Sequence, residues 1–238
     1  MEPAEVIFFI TWLGQSGFLI EAKGVKILMD PAGPKLAYSA KPVAADIVTV
    51  SHEHFDHNAI EMAEGKPIVL RGLKSGGADW NNVQFQDKGV TIRSVGTFHD
   101  EAQGAKRGKN AVFIIEIEGL RVAHTGDLGH VLSAQQVQAI GPVDILFICI
   151  GGRFTIGPEE AKTVIGQLKP RLAIPMHYKT EASGDLPLQG PEAFLKGWEH
   201  VVRADTERFG IPKGLAGYPE GQTTIVCLPY RGQKAPVK

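Results

Sequence analysis

Hydrophobic residues in the first half of the chain fall in short runs that are separated by glycine-rich turns. The first three runs, over residues 6–29, are typical of antiparallel strands joined by tight turns. The predicted strands cover residues 6–13, 18–21, 25–29, 46–50, 67–70, 83–85, 90–95, 111–117 and 121–124. A hairpin turn is predicted at Glu118 and Gly119, and a short helix is predicted over residues 58–63.

In the second half, apolar residues recur with helical spacing between strongly hydrophobic strands. Predicted helices cover residues 133–139, 158–168 and 192–204, and predicted strands cover 144–150, 171–175 and 223–228. Ser133 is a typical helix N-cap, and Pro158 is favoured in a first turn. This order predicts an α/β fold in which two sheets pack face to face with helices outside. We expect one domain over residues 1–231 and a frayed tail over 232–238.

Composition narrows the class of protein without identifying its function. Of the 238 residues, 43% are hydrophobic, so a sizeable core can be buried. The 25 basic and 26 acidic residues give a net charge of −1, which is no signature of a protein that binds nucleic acid or an anionic membrane. Cys149 and Cys227 lie in apolar runs and are expected to be free, buried thiols.

The first 15 residues contain an apolar run that lacks the basic residues and the cleavage signature of a signal peptide. We therefore expect a strand there. No apolar run approaches the ~20 residues that span a bilayer. A cytoplasmic location is the resulting expectation.

The segment 52–57, with the sequence HEHFDH, is the strongest chemical signal in the chain. It holds three of the eight histidines and directly follows a predicted buried strand. Imidazole is the commonest metal ligand, and a carboxylate supplies the charge that a divalent cation needs. In an extended or tightly turned segment, His52, His54 and Asp56 alternate toward one side. Because His57 reaches a second position, the segment can serve two adjacent ions.

Three more candidate ligands follow predicted strands elsewhere in the chain. These are His99, Asp127 and His177. Gly126 lets the backbone turn tightly before Asp127, whose two oxygens can bridge two cations. A single histidine at a strand end is a weak indication, but its recurrence at several strand ends favours one shared site.

HEHFDH matches the HxHxDH signature of the metallo-β-lactamase fold hydrolases. His99, Asp127 in TGD and His177 in PMHY follow in the order of that superfamily's remaining ligands. The similarity extends from TWLGQSGFLIE to PMHYKT, nearly the whole chain. Through LGQSGFLIE, ILMDP, GDLGH and GGRFTI, the chain resembles the small stand-alone hydrolases related to the ascorbate-6-phosphate lactonases. The resemblance implies a four-layer αββα sandwich with two mixed β-sheets.

The resemblance also implies how the ligands are divided between two ions. They form two groups with a bridging carboxylate: His52, His54 and His99 for one ion, Asp56, His57 and His177 for the other, and Asp127 between them. This ligand set suits Zn²⁺, which we expect, and is also accepted by Mn²⁺ or Fe²⁺. A glutamate at position 54 would instead favour a di-iron, oxygen-reducing relative, so His54 indicates hydrolysis.

Two divalent ions about 3.5–4 Å apart can share a bridging water and lower its pKa toward about 7. The expected reaction is attack of this hydroxide on a small-molecule ester, lactone or phosphodiester. Asp127 would act as the bridging ligand, and Asp56 as a ligand that can also transfer a proton. The chain contains no G-x-S-x-G nucleophile elbow, which agrees with this mechanism.

Other residues are candidates for a supporting role around the metal ligands. Asp30 and Asp100 either orient imidazoles or cap strand ends, and His124 is expected to pack beneath the site. The candidates for substrate contact are His130, Arg153, Phe154, Thr155, Tyr178 and Lys179, with Lys106, Arg107 and Asn110 in a loop over the mouth. A cationic group there would favour an anionic substrate. His200 is predicted to lie on the surface.

Two other functions stay open from the sequence. One is a nuclease or nucleotide phosphodiesterase, which the near-neutral charge disfavours. The other is a metal-stabilised binding module without turnover, which the complete ligand set disfavours. The expected partner is a small-molecule substrate, with no nucleic acid or membrane, and a homo-oligomer stays open.

Overall fold

The computed structural model describes residues 4–38 and 41–233, which form two large sheets packed face to face. Sixteen strands occur in these ranges: β1 (Val6–Gly14), β2 (Gly17–Ala22), β3 (Val25–Met29), β4 (Val43–Ala44), β5 (Ile47–Val50), β6 (Ala63–Glu64), β7 (Ile68–Arg71), β8 (Gln84–Asp87), β9 (Val90–Phe98), β10 (Lys109–Ile117), β11 (Leu120–His124), β12 (Ile145–Cys149), β13 (Leu172–Met176), β14 (Val201–Arg203), β15 (Arg208–Pro212) and β16 (Thr224–Cys227).

The first sheet has six strands in the order β15-β1-β2-β3-β5-β7. β15, β1, β2 and β3 are antiparallel neighbours, while β5 and β7 run parallel to β3. The strands predicted over residues 6–13, 18–21, 25–29, 46–50 and 67–70 are therefore confirmed. β15 was not predicted, because Gly210 and Pro212 interrupt its apolar pattern. Both residues are tolerated because β15 is an edge strand.

The second sheet has eight strands in the order β14-β16-β13-β12-β11-β10-β9-β8. β8 to β11 are antiparallel, and β11, β12, β13, β16 and β14 are parallel. The hairpin predicted at Glu118 and Gly119 joins β10 to β11, and Ile117 pairs with Leu120. Both sheets are mixed, as the resemblance implied.

The main core lies between the sheets. Phe18 of β2 and Phe147 of β12 are fully buried and meet with ring centroids 4.2 Å apart. Full burial of such a side chain contributes about 1.5–3 kcal/mol to stability. A smaller apolar cluster lies apart from this core and includes Leu28, Val48 and Val50, with Val43 of β4 and Ala63 of β6 packed on it.

Three α-helices occur in the described ranges: α1 (Ala134–Ile140), α2 (Pro158–Leu168) and α3 (Glu192–Leu195). α1 packs on β9 and α2 packs on β12. The Ser133 cap is confirmed as a capping box with Gln136, and Pro158 occupies the first turn of α2. The α/β fold class with two sheets and outer helices is confirmed, but both of these helices lie on the eight-stranded sheet.

Two helix predictions were wrong. The predicted helix over residues 192–204 ends at Leu195, and β14 pairs with β16 instead. Gly197 has a φ of 89°, which a continuing helix does not allow. The predicted helix over residues 58–63 is a single 3₁₀ turn, Ile60–Met62, followed by β6. Pairing between β6 and β4 overrides the weak local helix preference.

The predicted domain boundary at residue 231 stays a prediction. Residues 234–238 of the predicted tail lie outside the described residues. Within the described ranges, no helix has the length and apolar character to cross a membrane. Cys149 is buried and Cys227 is partly buried, and both are free thiols.

Candidate metal centre

The predicted ligands meet at one edge of the two sheets, where four strands end. The segment 52–57 follows β5 of the six-stranded sheet. His99 follows β9, Asp127 lies just beyond β11, and His177 follows β13, all in the eight-stranded sheet. Since β9, β11 and β13 run in the same direction, their carboxyl ends lie at the same edge. The two sheets thus contribute ligands from opposite sides.

Unusual backbone conformations bring these side chains to the edge. His177 has a φ of 51° and Asp30 has a φ of 41°, in the left-handed region that non-glycine residues rarely adopt. Gly126 has a φ of 54°, and a Cβ atom there would lie 2.4 Å from Asn110 Oδ1. The sharp turn before Asp127 therefore requires glycine.

The carboxylate of Asp127 lies at the centre of the site. Its Oδ1 is 3.1 Å from His57 Nε2, and its Oδ2 is 3.1 Å from His99 Nε2. The same Oδ2 is 3.4 Å from His177 Nε2 and 3.8 Å from His52 Nε2. Each carboxylate oxygen therefore faces a different set of imidazoles.

The ligand atoms form two groups that match the predicted division. The histidine cluster comprises His52, His54 and His99, whose ligand atoms and that of Asp127 all lie within 4.8 Å of one another. The mixed cluster comprises Asp56, His57 and His177, within the same limit. Asp30 also groups with His52 and His57, but hydrogen bonds already occupy its carboxylate.

Burial and mutual charge shift the pKa values of these groups strongly. Burial, followed by the neighbouring His57, holds the pKa of His52 well below its usual range. Burial alone would raise the pKa of Asp127, but His177 and His57 lower it well below its usual range. Burial opposes the charged form of His57, yet Asp127 and Asp56 raise its pKa well above the usual value. The negative potential of Asp127 and Asp56, which favours a proton on His57, also favours a metal cation at this site.

The residues present fit a divalent metal. His52 Nε2, His57 Nε2 and Asp127 Oδ1 are buried and have no hydrogen-bond partner among the described residues. Unpartnered buried polar atoms are costly and rare in native proteins. Imidazole nitrogens and carboxylate oxygens converge here without a hydrogen-bond donor from another described residue between them. They form a set of ligand atoms suited to Zn²⁺, Mn²⁺ or Fe²⁺. Their role as ligands stays a prediction that this geometry supports.

Comparison with known proteins identifies the family. Residues 9–177 match a family described as a Beta-lactamase superfamily domain. The chain belongs to that superfamily. A UPF0173 metal-dependent hydrolase from Thermococcus kodakarensis is 33% identical over 192 residues, which cover 72% of this chain and 84% of the relative. A UPF0173 metal-dependent hydrolase from Methanosarcina mazei is 30% identical over 220 residues, covering 81% of this chain and 91% of the relative.

A solved structure extends the similarity over almost the whole fold. A Thermotoga maritima protein, described as a candidate Zn-dependent hydrolase of the metallo-β-lactamase superfamily, is 35% identical, with a TM-score of 0.74. The alignment covers 93% of this chain and 98% of that protein. The chain is therefore an enzyme, a metal-dependent hydrolase. The superfamily and the fold predicted from the sequence are confirmed.

Asp30 orients imidazoles from both clusters of the hydrolase. It accepts hydrogen bonds from Ser51 N at 2.7 Å, from Ser51 Oγ and from His57 Nδ1 at 2.8 Å. Since a carboxylate only accepts, His57 carries a proton on Nδ1, which leaves Nε2 as the atom that can bind metal. Ser51 Oγ also lies 3.0 Å from His52 Nδ1, so Asp30 acts on His52 through Ser51.

Asn110 has a different place from the one predicted. It is buried in β10 rather than exposed in a loop over the mouth. Its Oδ1 accepts a hydrogen bond from Asp127 N at 3.0 Å, and its Nδ2 donates to Thr125 O at 2.9 Å. Asn110 therefore fixes the turn that carries the central carboxylate. The flanking apolar residues of β10 gave no signal that distinguished this role from that of any other asparagine in a strand.

Asp100 caps a loop and does not contact the imidazoles. Its carboxylate accepts hydrogen bonds from four backbone N–H groups, those of Ala102, Gly104, Lys106 and Arg107. These bonds lower the pKa of Asp100, although burial alone would raise it. Of the two predicted roles, the strand-end cap is the one that this geometry supports.

The other histidines have backbone partners or face solvent. His124 is buried beneath the site, where Nε2 contacts Ser16 O at 2.8 Å and Nδ1 accepts from Gly126 N at 3.1 Å. His130 accepts from Phe98 N at 3.1 Å through Nε2, and its Nδ1 is 2.8 Å from Val131 O. Both nitrogens of His130 are thus engaged. His200 is exposed, but no helix carries it.

The candidate substrate residues differ in exposure. Tyr178 is buried and packs on Trp12 with ring centroids 5.2 Å apart, so it lies in the core and not at the mouth. Phe154 is partly exposed, and the guanidinium of Arg107 lies 5.7 Å from its ring centroid. Arg107 Nη2 also donates to Arg153 O at 3.1 Å. This contact joins the loop after His99 to the loop after β12.

The two candidate lysines are already engaged. Lys106 forms an ion pair with Glu101, and Lys179 donates to Leu186 O at 3.0 Å and to Gly184 O. Arg107 and Arg153, in contrast, have no acidic partner within 4 Å among the residues that the structure describes.

Proposed function

We propose that the protein is a binuclear, zinc-dependent hydrolase that cleaves an ester, lactone or phosphodiester bond in an anionic small molecule. The position of Asp127 is the observation that carries this proposal. Its Oδ1 lies 3.1 Å from His57 of the mixed cluster, and its Oδ2 lies 3.1 Å from His99 of the histidine cluster and 3.4 Å from His177 of the mixed cluster. A carboxylate placed in this way is suited to bridge two ions.

The side chains on the two sides of Asp127 have different tasks. His52, His57, His99 and His177 are buried, which excludes water from the inner side of the site. His54 is exposed and the carboxylate of Asp56 is partly exposed, so a substrate can approach from that side. When two divalent ions are bound there, they would lower the pKa of a shared water and supply the attacking hydroxide. Asp56 is well placed to hold or move a proton at the open side.

The preference for an anionic substrate is supported by Arg107 and Arg153. Their guanidinium groups lie on loops that follow β9 and β12, at the edge where Asp127 and His177 also lie. Neither pairs with a carboxylate among the described residues, and the N–H groups of Arg107 other than the one bonded to Arg153 O could bind a carboxylate or phosphate of the substrate. The net charge of −1 gives no comparable support for a nuclease.

Metal analysis combined with a substrate panel tests this proposal. Purified protein is stripped of metal, loaded with Zn²⁺ or Mn²⁺, and assayed on lactones, phosphomonoesters, bis-p-nitrophenyl phosphate and β-lactams. We expect two ions per chain and hydrolysis of at least one anionic substrate class. Asp127→Ala should reduce the stoichiometry and abolish turnover. A single ion or fewer per loaded chain, or unchanged activity of Asp127→Ala, would refute the binuclear mechanism.

A cytoplasmic location and the absence of nucleic-acid and membrane partners remain part of the proposal. The balanced charge of the sequence supports the absence of nucleic-acid and anionic membrane partners.

A further inference from the structure

Gln15 is a buried, strained residue that belongs to no predicted role. It lies in the turn between β1 and β2, is 1% exposed, and has a φ of 51°. This left-handed conformation is unfavourable for a non-glycine residue. Strain of this kind persists only where the surroundings impose it, and it clusters at functional sites.

The side chain of Gln15 holds one ligand of the mixed cluster. Its Nε2 donates a hydrogen bond to Asp56 Oδ2 at 3.0 Å. That same oxygen lies 3.7 Å from His57 Nε2 and 3.9 Å from His177 Nε2, so it is the oxygen directed into the cluster. The amide of Gln15 therefore fixes the rotation of the Asp56 carboxylate.

The backbone of Gln15 holds a second ligand of the same cluster. Its carbonyl oxygen accepts hydrogen bonds from His177 N at 3.1 Å and from Trp12 Nε1 at 3.0 Å. Asp56 follows a strand of the six-stranded sheet, whereas His177 follows a strand of the eight-stranded sheet. One residue thus connects two ligands that approach from opposite sheets.

From this arrangement we infer that Gln15 is a positioning residue for the ion held by Asp56, His57 and His177, and not for the ion at the histidine cluster. The inference rests on the proposed two-ion site. Groups that orient metal ligands typically contribute 10–100-fold to metal affinity. Loss of the Gln15 amide should therefore weaken one ion selectively, while the backbone contact to His177 stays in place.

Zinc titration of the metal-stripped protein tests the inference without relying on turnover. Gln15→Met keeps the side-chain volume and removes the donor. We expect two ions in the wild type, and in Gln15→Met one ion of unchanged affinity and one that binds about 10–100-fold more weakly. In a titration with Co²⁺, each of the two equivalents should give its own absorption bands. The bands of only one equivalent should differ between Gln15→Met and the wild type.

Gln167→Met is the matched control. Gln167 also donates a hydrogen bond from Nε2, but its acceptor is the backbone carbonyl oxygen of Leu132 at 2.8 Å, and it lies on α2. The Gln167→Met variant should bind both ions with wild-type affinity. Circular dichroism and a urea midpoint establish that each variant is folded.

Gln15→Asn provides a second variant if Gln15→Met does not fold. Asparagine tolerates a positive φ, and its amide falls short of Asp56 by about 1.5 Å, one carbon–carbon bond. Gln15→Asn should weaken the binding of the same ion. Two ions of wild-type affinity in a folded Gln15 variant would overturn the role of Gln15 and leave the two-ion site standing. A single ion in the wild type would instead overturn the proposed function itself.

Discussion

Asp30→Asn tests whether one buried carboxylate sets the imidazole geometry on both sides of the site. Asp30 is fully buried and accepts three hydrogen bonds, two from Ser51 and one from His57 Nδ1. In the asparagine variant, the amide oxygen can still accept from Ser51 N. The NH₂ group would take the place of Oδ2, where it faces two donors, Ser51 Oγ and His57 Nδ1.

The variant therefore favours the wrong tautomer of His57. If His57 Nδ1 accepts from the new amide, the ring proton moves to Nε2, the atom that lies 3.1 Å from Asp127 Oδ1. A protonated nitrogen cannot bind metal. We expect zinc affinity to fall by about 10–100-fold, the usual effect of removing a group that orients a ligand.

Stability of the metal-stripped protein should also fall. A hydrogen bond to a charged group contributes about 1.5–3 kcal/mol, and two such bonds to Oδ2 are altered. Because Ser51 can rotate its hydroxyl and recover part of the loss, we expect the free energy of unfolding to drop by about 2–4 kcal/mol.

Urea unfolding and zinc titration measure the two effects separately. Asp144→Asn is the control, since Asp144 accepts from Arg121 N at 2.8 Å and precedes β12 at the end away from the metal centre. It should lose stability without losing zinc affinity. Wild-type zinc affinity in a folded Asp30→Asn variant would refute the tautomer argument, whatever its unfolding midpoint.

Three further outcomes follow from the packing. Gly129→Ala should destabilise the protein by more than about 3 kcal/mol in urea unfolding, because its Cβ would lie 2.2 Å from the carbonyl carbon of His99. The control is Gly166→Ala on the exposed side of α2, where a Cβ meets nothing within 4 Å. It should stabilise the protein by about 0.5–1 kcal/mol. A stable Gly129→Ala variant would contradict this packing. Burial raises the pKa of the Cys149 thiol to about 12, so Cys149 should resist iodoacetamide at pH 8 until the protein unfolds, and labelling of the native protein at Cys149 would contradict the burial. Because the thiol of the unfolded chain ionises first, Cys149 should also lower the stability of the folded state as pH rises above the ordinary thiol pKa near 8.5. Arg107→Gln should raise KM for an anionic substrate several-fold and leave KM for a neutral analogue unchanged, and an equal effect on both would argue against charge recognition by Arg107.

Local patterns in the sequence carried most of the strand assignments and the metal ligands. Burial on one face of a strand repeats every two residues, so β1 to β3 were visible in the spacing of apolar residues. The segment 52–57 was recognisable because its three histidines lie within six residues of the chain. His99 and His177 needed the order of the superfamily's motifs, since an isolated histidine at a strand end carries little information.

The tertiary structure decided what holds those ligands in place. Gln15 contacts Asp56 across 41 positions of the chain, and Asp30 contacts His57 across 27. No local pattern records such pairs, because they form only when distant segments of the six-stranded sheet come together. The strand β14 was mistaken for helix for the same reason, since its pairing with β16 is a long-range contact that outweighs local preference. The sequence by itself thus determined which groups can bind metal, and long-range contacts in the folded chain determined how they are oriented.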